Sequence, residues 1–397
     1  MGCHVSEILR AGDEEAPWVL GPVVRGGVVV RDWPWLRTTA ARIRGGQCEE
    51  REVTMTSEHV PERVTLIGIR PQAGIEGGRL LIACRNMDTH VLPRTRLKVG
   101  GVATRLDFAR EDLLIAKIPQ GAMSGLITLE VNGYESNGLP CEVGARIAQN
   151  LHPVANPVID EAGNIYVTLS GSRGQRVPVS VYKISPRGIL TPLVRDIINP
   201  TGMAIGPDGD IYISSRFDGQ VYQVSADGTA RVFARNLGTA TGIAFDRQGY
   251  LYVGDREGTI YRVNRQGIAT AFANLVSSVA AFHVAFDVHG DLYVTNPSMS
   301  GYDSIHRITP DGEVQTFFSD LGRPQGLAFD TNDNLYVVAH YRGESGIWKI
   351  TPQREATLAV SAVTLVGLAL DTMGRMIVVG TSTVYRLDLE GIEQPRS

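Results

Sequence analysis

The sequence predicts an all-β protein, a small β-sandwich followed by a six-bladed β-propeller that an N-terminal outer strand closes. Three observations predict this. Six copies of a unit of about 42 residues fill the C-terminal two-thirds of the chain. Each copy breaks into four short strands, and the segment just before the first copy resembles the outer strand that the last copy lacks.

The clearest copy, from Thr241, reads TGIAFDRQGYLYVGDREGTIYRVNRQGIATAFANL. Its relatives are NPVIDEAGNIYVT from Asn156, TGMAIGPDGDIYIS from Thr201 and HVAFDVHGDLYVT from His283, then GLAFDTNDNLYVV from Gly326 and GLALDTMGRMIVV from Gly367. The turn position falls at Gly163, Gly209, Gly249, Gly290, Asp333 and Gly374, with spacings of 46, 40, 41, 43 and 41. Blades therefore begin near 156, 202, 242, 283, 326 and 367.

Within a copy, the first strand is small and apolar. An Asp-x-x-Gly turn follows, in which the carboxylate caps backbone N–H groups and glycine supplies a positive φ. A Leu-Tyr-Val strand is next, then an alternating strand such as Ile260-Tyr261-Arg262-Val263. A second turn (Gly188, Gly228, Gly267, Gly312) leads to an outer strand such as 269–273. No unit can bury both faces alone, so the units pack around an axis. The last copy stops after 383–387, while ARIAQNL at 145–151 resembles the outer strand ARVFARNL at 230–237. The N-terminal strand is thus expected to complete the last blade and remove its exposed edge.

Residues 62–143 carry β-rich runs at 64–69, 79–84, 96–99, 113–118 and 127–131, separated by Gly, Pro and Asn. They read as a sandwich, joined to the propeller (144–397) by so short a link, 142–145, that a fixed orientation is expected. Residues 1–61 read as an unstructured or mis-annotated extension, with Met55 a candidate start. Their opening Met1-Gly2-Cys3-His4-Val5-Ser6 fits the short M-G-x-x-x-S/T myristoylation pattern. No signal peptide and no apolar run of 18 residues is present, so the expected location is cytoplasmic.

A net charge of −4, with 43% hydrophobic and 20% charged residues, describes an ordinary globular protein and gives no argument for a membrane or nucleic-acid partner. Aromatic stacking residues are also sparse in the loops (Phe217, Tyr302, Tyr341), which disfavours RNA. Only Lys98, Lys117, Lys183 and Lys349 are lysines among 38 basic residues. Cys3, Cys48, Cys84 and Cys141 are too few for a disulfide scaffold and form no zinc motif. Cys84 and Cys141 share one domain; two buried thiols are the favoured reading and a disulfide the alternative.

Two resemblances follow from these motifs. Pro71, Gly77-Gly78, the hairpin Val99-Gly100-Gly101-Val102-Ala103, the run 112–119, Ser124-Gly125 and the run 132–137 make residues 62–143 resemble an IPT/TIG immunoglobulin-like domain. That resemblance implies a spacer or interaction module. The repeats resemble NHL-type propellers, whose blades read roughly P-x-G-I-A-V-D-x-x-G-N-I-Y-V. They are also similar to the gluconolactonase, or senescence-marker-protein, family of six-bladed lactone hydrolases. The second resemblance implies one divalent metal, Ca or Zn, in the channel, and an alternative function as a lactone hydrolase or related lyase.

In that family, Glu in E-G-P, Asn in N-G and Asp in D-G hold the ion from the position just before the innermost strand. The ion polarises the lactone carbonyl and lowers the pKa of bound water. Here Ala155, Thr201, Thr241, Phe282, Gln325 and Val366 stand at that position, and none is a carboxylate. No Ser-His-Asp order or phosphate loop stands out either. The expectation is therefore a binding propeller of scaffold or sensor type with no catalytic residue and no cofactor.

One mouth of the channel receives the aspartate turns, with Asp160, Asp208, Asp246, Asp287, Asp330 and Asp371, plus Asp227 and Asp311. The other carries Arg173, Arg176, Arg216, Arg256, Arg323 and Arg342. Beside them lie Ser215, Asp255, Asn296 and His340, with His283 where most copies have glycine. The candidate binding set is Thr201, Arg216, Thr241, Asp255, Arg256, His283, Asn296, Gln325, His340 and Arg342. Arginine's planar fork suits carboxylates and phosphates, so the expected partner is an anionic small molecule, peptide or protein. The competing readings are solvated loop arginines, polar groups capping turns, a displaced metal site at Asp255 and Asn296, and a packed histidine in the channel wall.

Overall fold

The computed structural model describes residues 63–371 and 373–389, and before them the backbone of strands Val19–Leu20, Thr38–Arg44 and Gln47–Val53. Met1–Glu62 and Arg63–Ser397 are separate compact units. The three strands of the first unit form one antiparallel sheet. The acylation pattern, the start at Met55 and the side chains of Cys3 and Cys48 lie outside the described residues.

In the second unit, four-stranded antiparallel sheets succeed one another along the chain. The first runs from Val158–Ile159 to Leu190–Val194, the second from Pro200–Ile205 to Ala230–Ala234 and the third from Ala240–Phe245 to Ala269–Asn274. The fourth runs from His283–Phe286 to Val314–Leu321, and the fifth from Leu327–Phe329 to Ala356–Ser361. The sixth takes Leu365–Leu370, Met376–Gly380 and Thr383–Leu387 from the end of the chain. Its outer strand is Ala145–Gln149, in the register Ala145↔Arg386 and Gln149↔Thr383. The first strand of each sheet neighbours that of the next, and the sixth returns to the first. The architecture is a β-propeller, with no α-helix among the described residues.

The repeat's turn chemistry accounts for the regular sheets. All six turn positions are left-handed, from Asp333 at φ 63° to Gly290 at 89°, and Asp333 is the one that glycine does not fill. Asp246 shows the cap: its Oδ1 accepts from the backbone N–H groups of Gln248 and Tyr250, both at 2.9 Å.

The repeated tyrosine of the second strand then joins neighbouring sheets. Tyr252 lies edge-on to Phe272 of its own outer strand and Phe286 of the next sheet, with centroids 5.0 Å away in both cases. Tyr212 with Phe233 and Phe245, and Tyr293 with Phe317 and Phe329, repeat the arrangement. Each such pair contributes ~0.5–1.5 kcal/mol beyond its buried area.

Residues 65–143 form two facing sheets. One contains Thr65–Arg70, Arg79–Arg85, Leu113–Lys117 and Leu106–Ala109; the other contains Leu139–Val143, Gly125–Val131, Thr95–Val99 and Val102–Thr104. Leu80, Ile82 and Leu114 meet Leu97, Ile127 and Leu129 in a shared core. Strands Leu106–Ala109 and Leu139–Val143 are additions to the runs read from sequence. Cys84 and Cys141 are buried free thiols. Burial, with help from Glu142, pushes the Cys141 thiol up to about 12.

The short strand Ala73–Gly74 welds the two parts together. It pairs in parallel with Leu139–Val143 on one side and with Ser361, at the outer edge of the fifth sheet, on the other, giving one continuous ten-stranded sheet. The Ile75 N–H donates to the Ser361 carbonyl at 3.0 Å, and the Ser361 hydroxyl accepts from the Arg79 N–H at 2.7 Å. Arg70 and Glu344 form an ion pair at 2.8 Å across the same seam. A side chain at Gly78 would run into the Ser361 backbone, so glycine is needed for the approach. The fixed orientation expected from the short link follows from this shared sheet.

Candidate functional site

The propeller axis has two chemically different ends. At the loop end, where the second-to-third-strand loops emerge, arginines of the first three sheets meet. Arg216 donates to the Ser170 hydroxyl and the Gly171 carbonyl, both at 3.3 Å. Arg256 donates to the carbonyls of Ser278 and Val279. Burial, then the charges of Arg256 and Arg173, lower the pKa of Arg216, which places the three guanidinium groups in one electrostatic neighbourhood. None of the three forms an ion pair with a carboxylate among the described residues.

Several other candidates at this end are committed to the backbone. The Thr201 hydroxyl donates to the Asn199 carbonyl; that of Thr241 donates to the Gly254 carbonyl and accepts from the Phe282 N–H. Asp255, 4% exposed, accepts from the N–H groups of Thr239 and Glu257, and the Asn296 amide donates to the Val276 carbonyl. At the Gln325 position it is the backbone carbonyl that accepts, from the Thr295 hydroxyl. On the fifth sheet His340 contacts the Ser345 hydroxyl at 2.9 Å, and Arg342 lies over the Tyr341 ring. The structure thus sets Arg216 on the first-sheet loop that carries Arg173, within electrostatic reach of Arg256, and leaves Arg342 and His340 in contacts within their own sheet.

The residues do not fit the metal that the lactone-hydrolase resemblance implies. The six positions at the start of the inner strands, three of them already within a strand (Thr201, Thr241 and Val366), carry no carboxylate, and both threonine hydroxyls there are engaged. No group of three or more His, Cys, Asp or Glu is placed to hold a metal ion among the described residues.

One residue further along each inner strand lies a ring of Asn156, Gly202, Gly242, His283, Gly326 and Gly367. The strands approach closely here: a Cβ on Gly202 would sit 3.0 Å from the Gly242 Cα, and one on Gly367 would sit 2.7 Å from the Asn156 Cα. Asn156 reaches across, donating to the Leu327 carbonyl of the fifth sheet at 3.0 Å and accepting from the Leu368 N–H of the sixth at 3.2 Å. The channel along the axis is narrowed at this level. Sequence reasoning missed Asn156, although its departure from glycine at that position was the available signal.

Beyond the ring, toward the aspartate turns, the axis widens into a cavity of about 360 Å³ lined mainly by apolar side chains. His283 lies in its wall, 4% exposed, and burial lowers its pKa to about 4. Phe329 separates this cavity from a broader cleft of about 820 Å³ between the third, fourth and fifth sheets, lined by Asp246, Arg262, Phe286, Asp287 and His289. Arg262 stacks 3.8 Å above the Tyr250 ring there. Both cavities thus open at the turn end, away from the arginine mouth. The turn-end aspartates are held locally: Asp330 by Asn334, Asp371 by Arg375 and Asp208 by Tyr212 and Gln223.

The fold and these likenesses define a β-propeller protein. A putative gluconolactonase structure aligns with a TM-score of 0.53 at 16% identity, covering 64% of this chain and 94% of the other. A Bacteroides thetaiotaomicron protein of unknown function aligns with a TM-score of 0.51 at 15% identity, covering 82% and 98%. At such identities the likeness extends to the fold alone. The strictosidine synthase-like N-terminal family matches residues 242–263, most of one repeat's first three strands. No curated protein matches the chain. No helix is long and apolar enough to cross a membrane among the described residues.

Proposed function

We propose that the chain is a binding protein: a six-bladed propeller (144–397) held rigidly against an IPT/TIG-like immunoglobulin-type module (62–143), with the arginine mouth taking an anionic ligand or an acidic partner segment. The observation that carries the reading is that Arg173, Arg216 and Arg256, on loops of three successive sheets and close enough for their charges to act on one another, have no carboxylate partner among the described residues. Backbone carbonyls orient Arg216 and Arg256. Guanidinium groups held in this way are pre-organised to receive a carboxylate or phosphate, and mutual repulsion favours an incoming anion. Nothing observed favours the lactone-hydrolase alternative over this reading.

The test is titration of the full chain with a short poly-glutamate peptide at low salt. Arg216→Ala/Arg256→Ala is expected to weaken binding at least about tenfold, since each charge-assisted hydrogen bond contributes roughly 1.5–3 kcal/mol. Binding should also weaken steeply with added salt. Equal affinities for the parent and the double variant would remove the arginine mouth as the site.

A further inference from the structure

We infer that the turn-end cavity on the propeller axis is a second binding site, for an uncharged, mainly apolar small molecule bearing one hydroxyl group that hydrogen-bonds to His283. This goes beyond the anionic site at the other mouth and shares no arginine with it.

The wall supplies the apolar part of the argument. Met203, Ile205, Ile243, Val284, Leu327 and Leu370 converge on about 360 Å³, within the size range of small-molecule pockets. Burying an apolar body there removes hydrocarbon from water on both sides of the contact.

His283 supplies the polar part. It occupies a ring position that four of the six copies give to glycine, so the fold does not need an imidazole there. It is 4% exposed, its side chain makes no hydrogen bond among the described residues, and it borders the cavity. A ring nitrogen that faces the cavity is open to a hydrogen bond from a ligand, and an apolar body covering it without one would leave it unpaired. Burial keeps the ring neutral, with one nitrogen a donor and the other an acceptor. A hydroxyl both donates and accepts, so it satisfies whichever nitrogen faces the cavity.

Charge restricts the class further. The inner strands that line the cavity lead directly into the turns of Asp160, Asp330 and Asp371. The cavity lining carries no arginine or lysine, so nothing there would compensate the charge of an anion. The site is therefore the reverse of the arginine mouth.

Equilibrium dialysis of the full chain against 2-naphthol, naphthalene and 2-naphthoate tests the proposal. Saturable one-to-one binding in the order naphthol, naphthalene, naphthoate is expected. His283→Gly, which installs the residue most copies use, is expected to weaken naphthol about fivefold to tenfold, the loss of a hydrogen bond, and to spare naphthalene. Leu370→Trp, narrowing the cavity near its mouth, should weaken both neutral compounds. Circular dichroism checks that each variant is folded.

The proposal is overturned if naphthol shows no saturable binding, if naphthoate binds as tightly as naphthol, or if His283→Gly leaves naphthol unchanged. Arg216→Ala/Arg256→Ala should leave naphthol binding intact. A loss there would move the compound to the loop end and sink the second site, while leaving the anion test to be judged on its own.

Discussion

The loop end and the turn end of the propeller are built from the same repeats yet do opposite things with charge. At the turn end, carboxylates close the chain's own turns: Asp330, 2% exposed, accepts from the N–H groups of Asn332 and Asn334. At the loop end, Arg216 and Arg256 lean on carbonyls and have no carboxylate partner among the described residues. A charge that satisfies local backbone holds the fold, whereas a charge held without a counter-charge is available to a partner. The difference predicts that loss of a turn-end carboxylate appears as lost stability, and loss of a loop-end arginine as lost binding.

Four substitutions can break or sharpen that contrast. The largest effect is expected from Tyr252→Ala, which removes the ring between Phe272 and Phe286 and should lower unfolding free energy in urea by about 3–5 kcal/mol. Next is Asp330→Ala, which strands the buried backbone and side-chain donors of Asn334 and should cost about 2–3 kcal/mol in the same assay. A loss under about 0.5 kcal/mol in either would contradict a structural turn end.

His283 gives a pH signature of intermediate size. Its folded pKa, about 4, lies below the ordinary histidine value, so the unfolded chain takes up the proton first as pH falls. Its contribution to stability is complete above about pH 6.5 and is lost toward pH 4. Between pH 7 and 4.5 the parent should lose about 2 kcal/mol more than His283→Gly. Parallel pH profiles would show a histidine not held neutral by burial. The smallest stability change is expected for Arg256→Ala, within about 1 kcal/mol. A larger loss would make that arginine part of the fold and erase the distinction between the ends.

Much of this architecture was legible beforehand because the turns are chemically explicit. An aspartate followed by a residue tolerant of positive φ recurs in the copies, and the left-handed backbone at Gly163, Gly249 and Gly374 is what that spelling demands. The swap of Ala145–Gln149 onto the last copy's edge was legible for the same reason, as a missing unit and a stray copy of it. The candidate site was legible only in part. Arg216 and Arg256 belong to neighbouring copies, so the repeat itself placed them on one rim. Thr201, Thr241 and Asp255 were read as candidate ligand contacts, with turn capping as the competing reading for Asp255, because sequence does not reveal which nearby N–H or carbonyl a side chain will meet.

By itself the sequence determined the repeat, its strand order, its turns and the sign of charge at each end, because these depend on residues adjacent in the chain. Only the tertiary structure decided that Ala73–Gly74 would fuse two sheets into one. It alone decided, too, that Asn156 would reach the fifth sheet and that a cavity would lie on the aspartate side. Those outcomes depend on how closely strands far apart in sequence approach. That distance is set by the summed packing of the sheets around the axis and is written in no single repeat.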